Sequence, residues 1–466
     1  MSIPLETLQT LDRAVLIELI IKLSTEMDKL TERLNKNSTN SSKPPSSDGL
    51  TKPSPKSLRK KGERKNGGQK GHRGSTLERA DKPDVTVTLT PSDCMECGHD
   101  LQNESGITAE KRQVFDIPKP ALEVTEYVSV EKCCSKCGAK TCAEFPEGVR
   151  SHVQYGSRIH ATSIYMLYQQ FIPEARLAEV FADTYGIKLC SATLGQSWKK
   201  IYNNLDEYEK NVEQFLSNSK LVHFDETGMR VQQKLAWLHS ASNAYATIYK
   251  IDAKRGFEAM EKFHIHQNFK GIAVHDYWKP YLKLTTSEHA LCNAHILREL
   301  VGIYENHSLT WTKEMEGFLY KAHKYVSEFQ EKKKLPLNLL KKLTREYESI
   351  LHAATQNYDK MRSNSSSGKR AKSAPGEALC LRMTNHKSDI LRFMHDFDVP
   401  FTNNQAEQDI RMCKLRQKIS GCFRSNTGPE IFCRIRGYLS TARKQGLNIM
   451  DAITDAIAGQ PFTISA

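Results

Sequence analysis

Long apolar runs are missing from this 466-residue chain. The longest, Ala14 to Leu23, carries Glu18 and Lys22 and falls short of the roughly 18 uncharged residues that span a membrane. Met1 to Leu11 has neither a basic start nor an apolar centre, which argues against a secretory leader. Aromatic residues make up only 8%, yet an apolar fraction of 39% is too high for wholesale disorder. Length allows about three domains. These absences predict a soluble, cytoplasmic, multidomain protein with no membrane partner.

Acids are outnumbered, with Asp+Glu 54 against Lys+Arg 67 and a net charge of +13. The excess is concentrated. Lys52 to Arg73 holds nine cations, among them Lys60, Lys61, Arg64 and Lys65, against Glu63. Arg411 to Lys444 holds nine more, including Arg411, Lys414 and Arg416, against Glu430. Two basic patches on a nearly neutral body predict a polyanion partner, nucleic acid first. The first patch also reads as a solvated tail. The second, interleaved with apolar residues, fits that reading less well.

Periodicity and composition divide the chain. Leu16, Ile20, Leu23, Met27, Leu30 and Leu34 alternate spacings of four and three, an apolar seam on a helix within residues 1–36. The seam suits packing on the body or on a second subunit. Residues 37–84 read as a flexible basic linker, polar and Pro-containing at first, then Gly- and Lys-rich. Residues 85–150 carry Cys94-x-x-Cys97-Gly98 and Cys134-x-x-Cys137-Gly138, with apparent strands such as Val85 to Leu89 ahead of the first and Val124 to Val130 ahead of the second. Two such turns supply the four thiolates of a structural zinc site. Residues 151–215 read as helical. Leu177, Val180, Phe181 and Tyr185 lead to Gly186, and Ser191 suits the cap of a second helix, so a helix-turn-helix DNA reader and an ordinary helical hairpin both fit.

From residue 216 to 300 the pattern changes to short β-rich runs, as in a mixed α/β sheet. Leu221 to Phe224 ends in Asp225-Glu226-Thr227-Gly228, and Gly271 to His275 ends in Asp276. Trp237, Ile248 and His289 to Cys292 mark further strands. Carboxylates at the ends of apolar strands are costly unless solvated, capping a turn or binding a cation. Residues 301–400 read as a helical insertion. Residues 401–466 begin with Phe401-Thr402-Asn403-Asn404-Gln405-Ala406-Glu407, where Asn404 fits an N-cap and Glu407 its capping-box partner.

Taken together, Asp-Glu-Thr-Gly, His-Asp-x-Trp-x-x-Tyr (His275 to Tyr281), Cys-x-x-His (Cys292, His295) and Asn-Asn-x-Ala-Glu resemble the transposases of the insertion sequence sixty-six family. The Lys-Pro-Pro-Ser-Ser-Asp run (Lys43 to Asp48), the Gly-Gly-Gln-x-Gly-His segment and the cysteine knuckles extend the resemblance over nearly the whole chain. Thr402 departs from it, standing where relatives often have Asp. The resemblance implies an acidic-triad enzyme with a ribonuclease-H-like core split by the helical insertion. The implied triad is Asp225, Asp276 and Glu407 on Mg²⁺ or Mn²⁺, with His295 near the active site and Glu226 and Asp409 as rival ligands. It further implies cleavage of element ends in double-stranded DNA, joining of the 3′-hydroxyl to target DNA, a homo-oligomer, accessory proteins of the same element, and a bacterial, nucleoid-associated location. An inactive zinc-containing DNA-binding protein and a ribonuclease-H-like nuclease are the competing expectations.

Overall fold

A computed structural model describes residues 12–41, 48, 76–263, 265, 269–363 and 374–465. Lys60, Lys61, Arg64 and Lys65 lie outside the described residues, as do nearly all of the Lys43 to Asp48 run and the whole Gly-Gly-Gln-x-Gly-His segment. The chain divides into two compact units, one of Met1–Pro55 with Val128–Ala466 and one of Lys56–Tyr127. No helix among the described residues is long and apolar enough to cross a membrane.

The smaller unit has no regular helix or strand ladder among its described residues. An amide clasp ties distant parts of it together, in which Gln113 Nε2 donates to the Ala80 carbonyl and Gln113 Oε1 accepts from the Ala80 N–H, at 2.8 and 2.9 Å. The expected strand Val85 to Leu89 forms no strand here. Val85, Val87 and Leu89 are all exposed, so alternation without a surface to bury it gives no ladder.

The larger unit begins with helix α1 (Arg13–Asn35), none of whose residues is buried; Leu34 is 85% exposed. The chain after it packs on the helical insertion. Asn40 Nδ2 donates to Glu305 Oε2 at 2.9 Å, and the Asn40 carbonyl lies so near Gly302 that a Cβ there would meet it at 2.1 Å. Val124 to Val130 is likewise not a strand. Pairing starts one residue later, in the short hairpin β1 (Glu131–Cys133) and β2 (Lys140–Cys142) that encloses the second knuckle.

A helical block follows: α2 (Ser157–Ile164), a π-turn over Tyr165–Gln169, α3 (Glu174–Tyr185), α4 (Ser191–Asn204) and α5 (Asp206–Ser217). Gly186, at φ +69°, ends α3 in the left-handed conformation that glycine adopts without strain. Leu177, Phe181, Ile187, Leu189 and Leu194 close a small core between α3 and α4. The cap of α4 is Cys190, and Ser191 is its first helical residue.

Five strands form the sheet: β3 (Leu221–Val231), β4 (Lys234–Ser242), β5 (Thr247–Asp252), then a short helix α6 (Phe257–Met260), β6 (Ile272–His275) and β7 (Glu288–Leu291). Their order is β5-β4-β3-β6-β7. The first three pair antiparallel, as tight turns require. β6 and β7 run parallel to β3 through longer connections. The fold is thus a multidomain α/β arrangement around a mixed five-stranded sheet.

Helices α7 (Asn293–His307), α8 (Thr310–Glu328), α9 (Leu337–Ser363), α10 (Glu377–Asn385) and α11 (Lys387–His395) fill the interval before the last part of the sheet's cover. Trp311, Met315, Phe318, Tyr347, Leu351, Met383 and Phe393 make a core of their own, which is why so long an interval is tolerated. Helix α12 (Asn404–Ser420) returns to lie on β3 and β4, α13 (Thr427–Lys444) lies on β5, and α14 (Ile449–Ala458) packs on α2 and α4.

The two faces of β3 follow from its alternation. Val222 and Phe224 enter the core shared with α5, α13 and α14, whereas Met229 meets Ile410 and Cys413 of α12. Asp225 shares the parity of Met229. It therefore points to the face that α12 covers.

Candidate active site at the ends of three parallel strands

Register brings the two aspartates together. Leu221 pairs with Ile272 and His223 with Val274, so two residues further along Asp225 stands beside Asp276, the residue that follows β6. Cys292 follows β7 at the same level, its N–H donating to the His275 carbonyl at 2.9 Å. The carboxyl ends of parallel strands are where open α/β sheets place ligand crevices. Here that end carries Asp225, Asp276 and Cys292.

Glu407 arrives from above on the first turn of α12. The cap of α12 is Asn403, one residue before the expected Asn404, and its side chain makes no capping bond. That side chain instead ties the helix to β3. Asn403 Nδ2 donates to the Phe224 carbonyl at 2.8 Å, and Asn403 Oδ1 lies 2.7 Å from His223 Nδ1. The Asn403 N–H donates to Cys292 Sγ at 3.1 Å. Glu407 is thereby released from capping, and its Oε1 is a buried oxygen with no hydrogen-bond partner.

Crowded carboxylates dominate the electrostatics. Burial, then Glu226, Asp276 and Glu407 beside it, push the Asp225 carboxyl well above the ordinary aspartate range. Asp225 Oδ1 accepts the Glu226 N–H at 2.9 Å, and Asp276 Oδ1 accepts the Trp278 N–H at 2.8 Å, which fixes both side chains but leaves oxygens to spare. Asp225 and Asp276 form no ion pair among the described residues, and hard oxygen donors suit Mg²⁺ or Mn²⁺.

The two rival acids are already engaged. Glu226 has the opposite parity to Asp225. Its Oε1 accepts from Arg255 Nε and Nη2 at 3.0 and 2.6 Å, and its Oε2 accepts the Tyr281 hydroxyl. The Arg255 guanidinium lies between the rings of Trp237 and Trp278, at 4.6 and 4.4 Å. Asp409 Oδ2 accepts from Lys444 Nζ at 2.8 Å and from Gln405 Nε2 at 3.2 Å.

His295 sits at the margin, its Nδ1 4.0 Å from Glu407 Oε1. Cys292, His295 and Glu407 each offer a ligand atom within 4.8 Å of the others. Burial pulls the His295 pKa down, but the Cys292 sulfur beside it more than offsets this and raises it to about 9. Burial raises the Cys292 thiol, and His295 more than reverses that shift. Behind Asp276, His275 Nδ1 donates to the Asp276 carbonyl, so its Nε2 accepts from His289 Nδ1, 2.8 Å away.

The basic segment Arg411 to Lys444 is not a uniform surface patch. Arg411 is exposed on α12. Lys414 donates to the Gly228 carbonyl, and Arg416 stacks on Phe423 at 3.5 Å. Arg434 pairs with Asp206 and Glu209 at 3.0 and 2.9 Å, Arg436 is buried against Gln169, and Lys444 holds Asp409. Much of this charge fastens α12 and α13 to the body, a role that apolar interleaving signals in retrospect.

Both cysteine knuckles have the same turn. Gly98 N–H donates to the Cys94 carbonyl and Gly138 N–H to the Cys134 carbonyl, at 2.9 and 2.8 Å, with the glycines at φ +70° and +71°. Backbone N–H groups of Cys97 and Glu96 lower the Cys94 thiol, and those of Cys137 and Lys136 lower Cys134. Such turns present thiolates to a metal. One knuckle lies in each compact unit.

A five-stranded mixed sheet with acids gathered at its parallel ends defines the class, a multidomain α/β protein with an acidic crevice. The family model "Transposase IS66 family" matches residues 152–431, and the chain belongs to that family. It is thus a DNA-processing enzyme of the transposase class. A second model, for a family of unknown function (DUF6444), matches residues 4–78. No curated protein matches the chain.

Proposed function

We propose that the chain cleaves the ends of its insertion sequence and joins the freed 3′-hydroxyl to target DNA at a site made of Asp225, Asp276 and Glu407. The observation that carries this reading is geometric: strand register sets Asp225 beside Asp276, and the first turn of α12 brings in Glu407, whose buried Oε1 has no hydrogen-bond partner. The strand order, with Asp225 central, Asp276 on its parallel neighbour and Glu407 on a covering helix, supports a ribonuclease-H-like core. Asp225, Asp276 and Glu407 would hold Mg²⁺ or Mn²⁺. Bound divalent ions supply Lewis-acid activation of the attacking oxygen and stabilisation of the leaving one.

The chain's own contribution is orientation. Asn403 sets the height of Glu407 over the strand of Asp225, and the Trp278 N–H fixes the rotamer of Asp276. His295, with Nδ1 4.0 Å from Glu407 Oε1, stands on the side from which a DNA phosphate would approach. Arg411, and in part Lys414 and Arg416, continue the cationic side of α12 along the DNA backbone. Lys60, Lys61, Arg64 and Lys65 add phosphate contacts from the basic linker, and α3–α4 is a further DNA-contacting element. Cys94 with Cys97, and Cys134 with Cys137, would each offer a pair of thiolates to structural zinc. The exposed seam of α1 supports self-association, which brings two element ends together in the bacterial cytoplasm on the nucleoid.

The test is a joining reaction. A duplex carrying the element's terminal sequence is incubated with a supercoiled plasmid, Mg²⁺, the protein and any accessory proteins of the element. A covalent end-to-plasmid product is expected. Nicking without joining would instead support a ribonuclease-H-like nuclease, and binding with no strand broken a DNA-binding protein without catalysis.

A further inference from the structure

The acidic site borders a second ligand set of different chemistry. Cys292 caps α7 and His295 lies three residues on, so thiol and imidazole share one face of the first turn. Glu407 of α12 faces them, with its Oε1 4.0 Å from His295 Nδ1, and all three ligand atoms lie within 4.8 Å of one another. Both His295 Nδ1 and Glu407 Oε1 are shielded from solvent and make no hydrogen bond. Two orphaned buried ligand atoms on one sulfur are an unusual arrangement, because buried polar atoms are nearly always satisfied.

We infer that Cys292, His295 and Glu407 bind a thiophilic divalent transition ion of the Zn²⁺ class, separate from the hard-oxygen site of the aspartates. Sulfur, nitrogen and one carboxylate oxygen are three of the four positions of a tetrahedral zinc centre, the fourth left for water. Ligand atoms of such an ion are spaced at roughly 3.5 Å, so the His295–Glu407 pair closes by about 0.5 Å and no pair of the set by more than about 1.3 Å, within reach of side-chain rotation. The surroundings suit it. The start of α7 favours a thiolate at Cys292, and the Asn403 N–H donates to that sulfur at 3.1 Å, as neighbours of coordinated thiolates do. Binding releases the proton from Cys292 or His295 and forms bonds to Sγ, nitrogen and oxygen without any redox change. Mg²⁺ avoids sulfur, so the two sites select different ions.

Glu407 belongs to both sets. If the carboxylate reading above holds, a zinc ion here takes Glu407 from Asp225 and Asp276, so that zinc opposes the Mg²⁺-dependent reaction. The binding claim itself does not depend on that reading.

Co²⁺ titration of the full-length protein, without DNA or Mg²⁺, tests it through the thiolate-to-cobalt absorption band. The knuckle cysteines contribute to the same band, so the comparison includes a Cys94→Ser/Cys134→Ser double variant. The expected result is a component that survives in that variant, disappears in Cys292→Ser, and needs at least tenfold more Co²⁺ in His295→Gln and in Glu407→Gln. The last two leave the sulfur in place and alter partly exposed side chains, so they stand even if Cys292→Ser does not fold. Spectra of Cys292→Ser, or titrations of His295→Gln and Glu407→Gln, that match the wild type would overturn the inference. DNA joining measured separately with Mg²⁺ alone reports on the transposase reading, so the two can fail independently.

Discussion

Asn403 and Phe224 join the helix of Glu407 to the strand of Asp225: Asn403 Nδ2 donates to the Phe224 carbonyl at 2.8 Å in a fully buried setting. The same side chain reaches His223, whose pKa burial lowers, so a neutral imidazole with Nδ1–H donates to Asn403 Oδ1. One amide thus fixes the separation of two carboxylates far apart in sequence. Replacing Asn403 with Ala leaves a buried carbonyl and a buried imidazole N–H unsatisfied. A loss of about 1–3 kcal/mol is expected in chemical denaturation, with cleavage falling further than stability explains. Unchanged denaturation midpoints would remove Asn403 from this role.

Much of this arrangement was legible in the amino-acid pattern. Apolar runs that end in Asp225 and Asp276 mark strand ends, because a carboxylate in the middle of a buried strand needs a special reason. The interval before Glu407 reads as helical from its apolar spacing, and the five helices are there. What periodicity cannot supply is partnership across the sheet. Nothing local to Glu226 announces that Arg255 and Tyr281 claim it, and nothing local to Asn403 announces His223. The same limit explains the cations of α13. Arg434 and Lys444 look like a nucleic-acid surface until Asp206, Glu209 and Asp409 are seen opposite them. Val85 to Leu89 misled in the other direction, since alternation specifies a strand only where there is a surface to pack on.

Carboxylates held together for a cation repel one another without it. Folding raises the Asp225 pKa, chiefly by burial and then by its acidic neighbours, so the charged form is disfavoured in the folded protein. Asp225→Asn is expected to melt higher than wild type in EDTA near neutral pH. Mg²⁺ or Mn²⁺ should raise the wild-type melting temperature and leave that of Asp225→Asn nearly unchanged. Thermal melts with and without metal check both statements. An Asn variant less stable in EDTA would show that Asp225 is a structural acid.

His239 supplies a separate pH dependence. It is buried against Phe263, neither ring nitrogen has a partner, and burial lowers its pKa to about 4. A histidine depressed below its unfolded value of about 6.5 contributes stability above that pH and loses it as pH falls toward the folded value. The loss amounts to about 3 kcal/mol at most by pH 4. His239→Phe should flatten denaturation free energies over this acid range. A profile identical to wild type would contradict the assignment.

The cations of α12 and α13 should separate into two classes. Lys444→Met removes the partner of buried Asp409 and is expected to cost about 3–5 kcal/mol in stability. Arg411→Ala should leave stability within about 0.5 kcal/mol, as exposed surface changes do. The same change should weaken DNA binding and reduce the slope of log affinity against log salt by about 1. Denaturation and salt-dependent binding on the same two variants distinguish the classes. Arg411→Ala with unaltered salt dependence would move the DNA to another face.

The central claim, one site made of Asp225, Asp276 and Glu407, meets its most direct test in single-turnover cleavage of element-end DNA in Mg²⁺. Asp225→Asn, Asp276→Asn and Glu407→Gln are nearly isosteric, so DNA binding should persist. Each is expected to lower the cleavage rate by at least about 10³-fold, equivalent to about 4 kcal/mol of transition-state stabilisation. Wild-type cleavage by any one of the three, with folding and DNA affinity intact, would contradict the account.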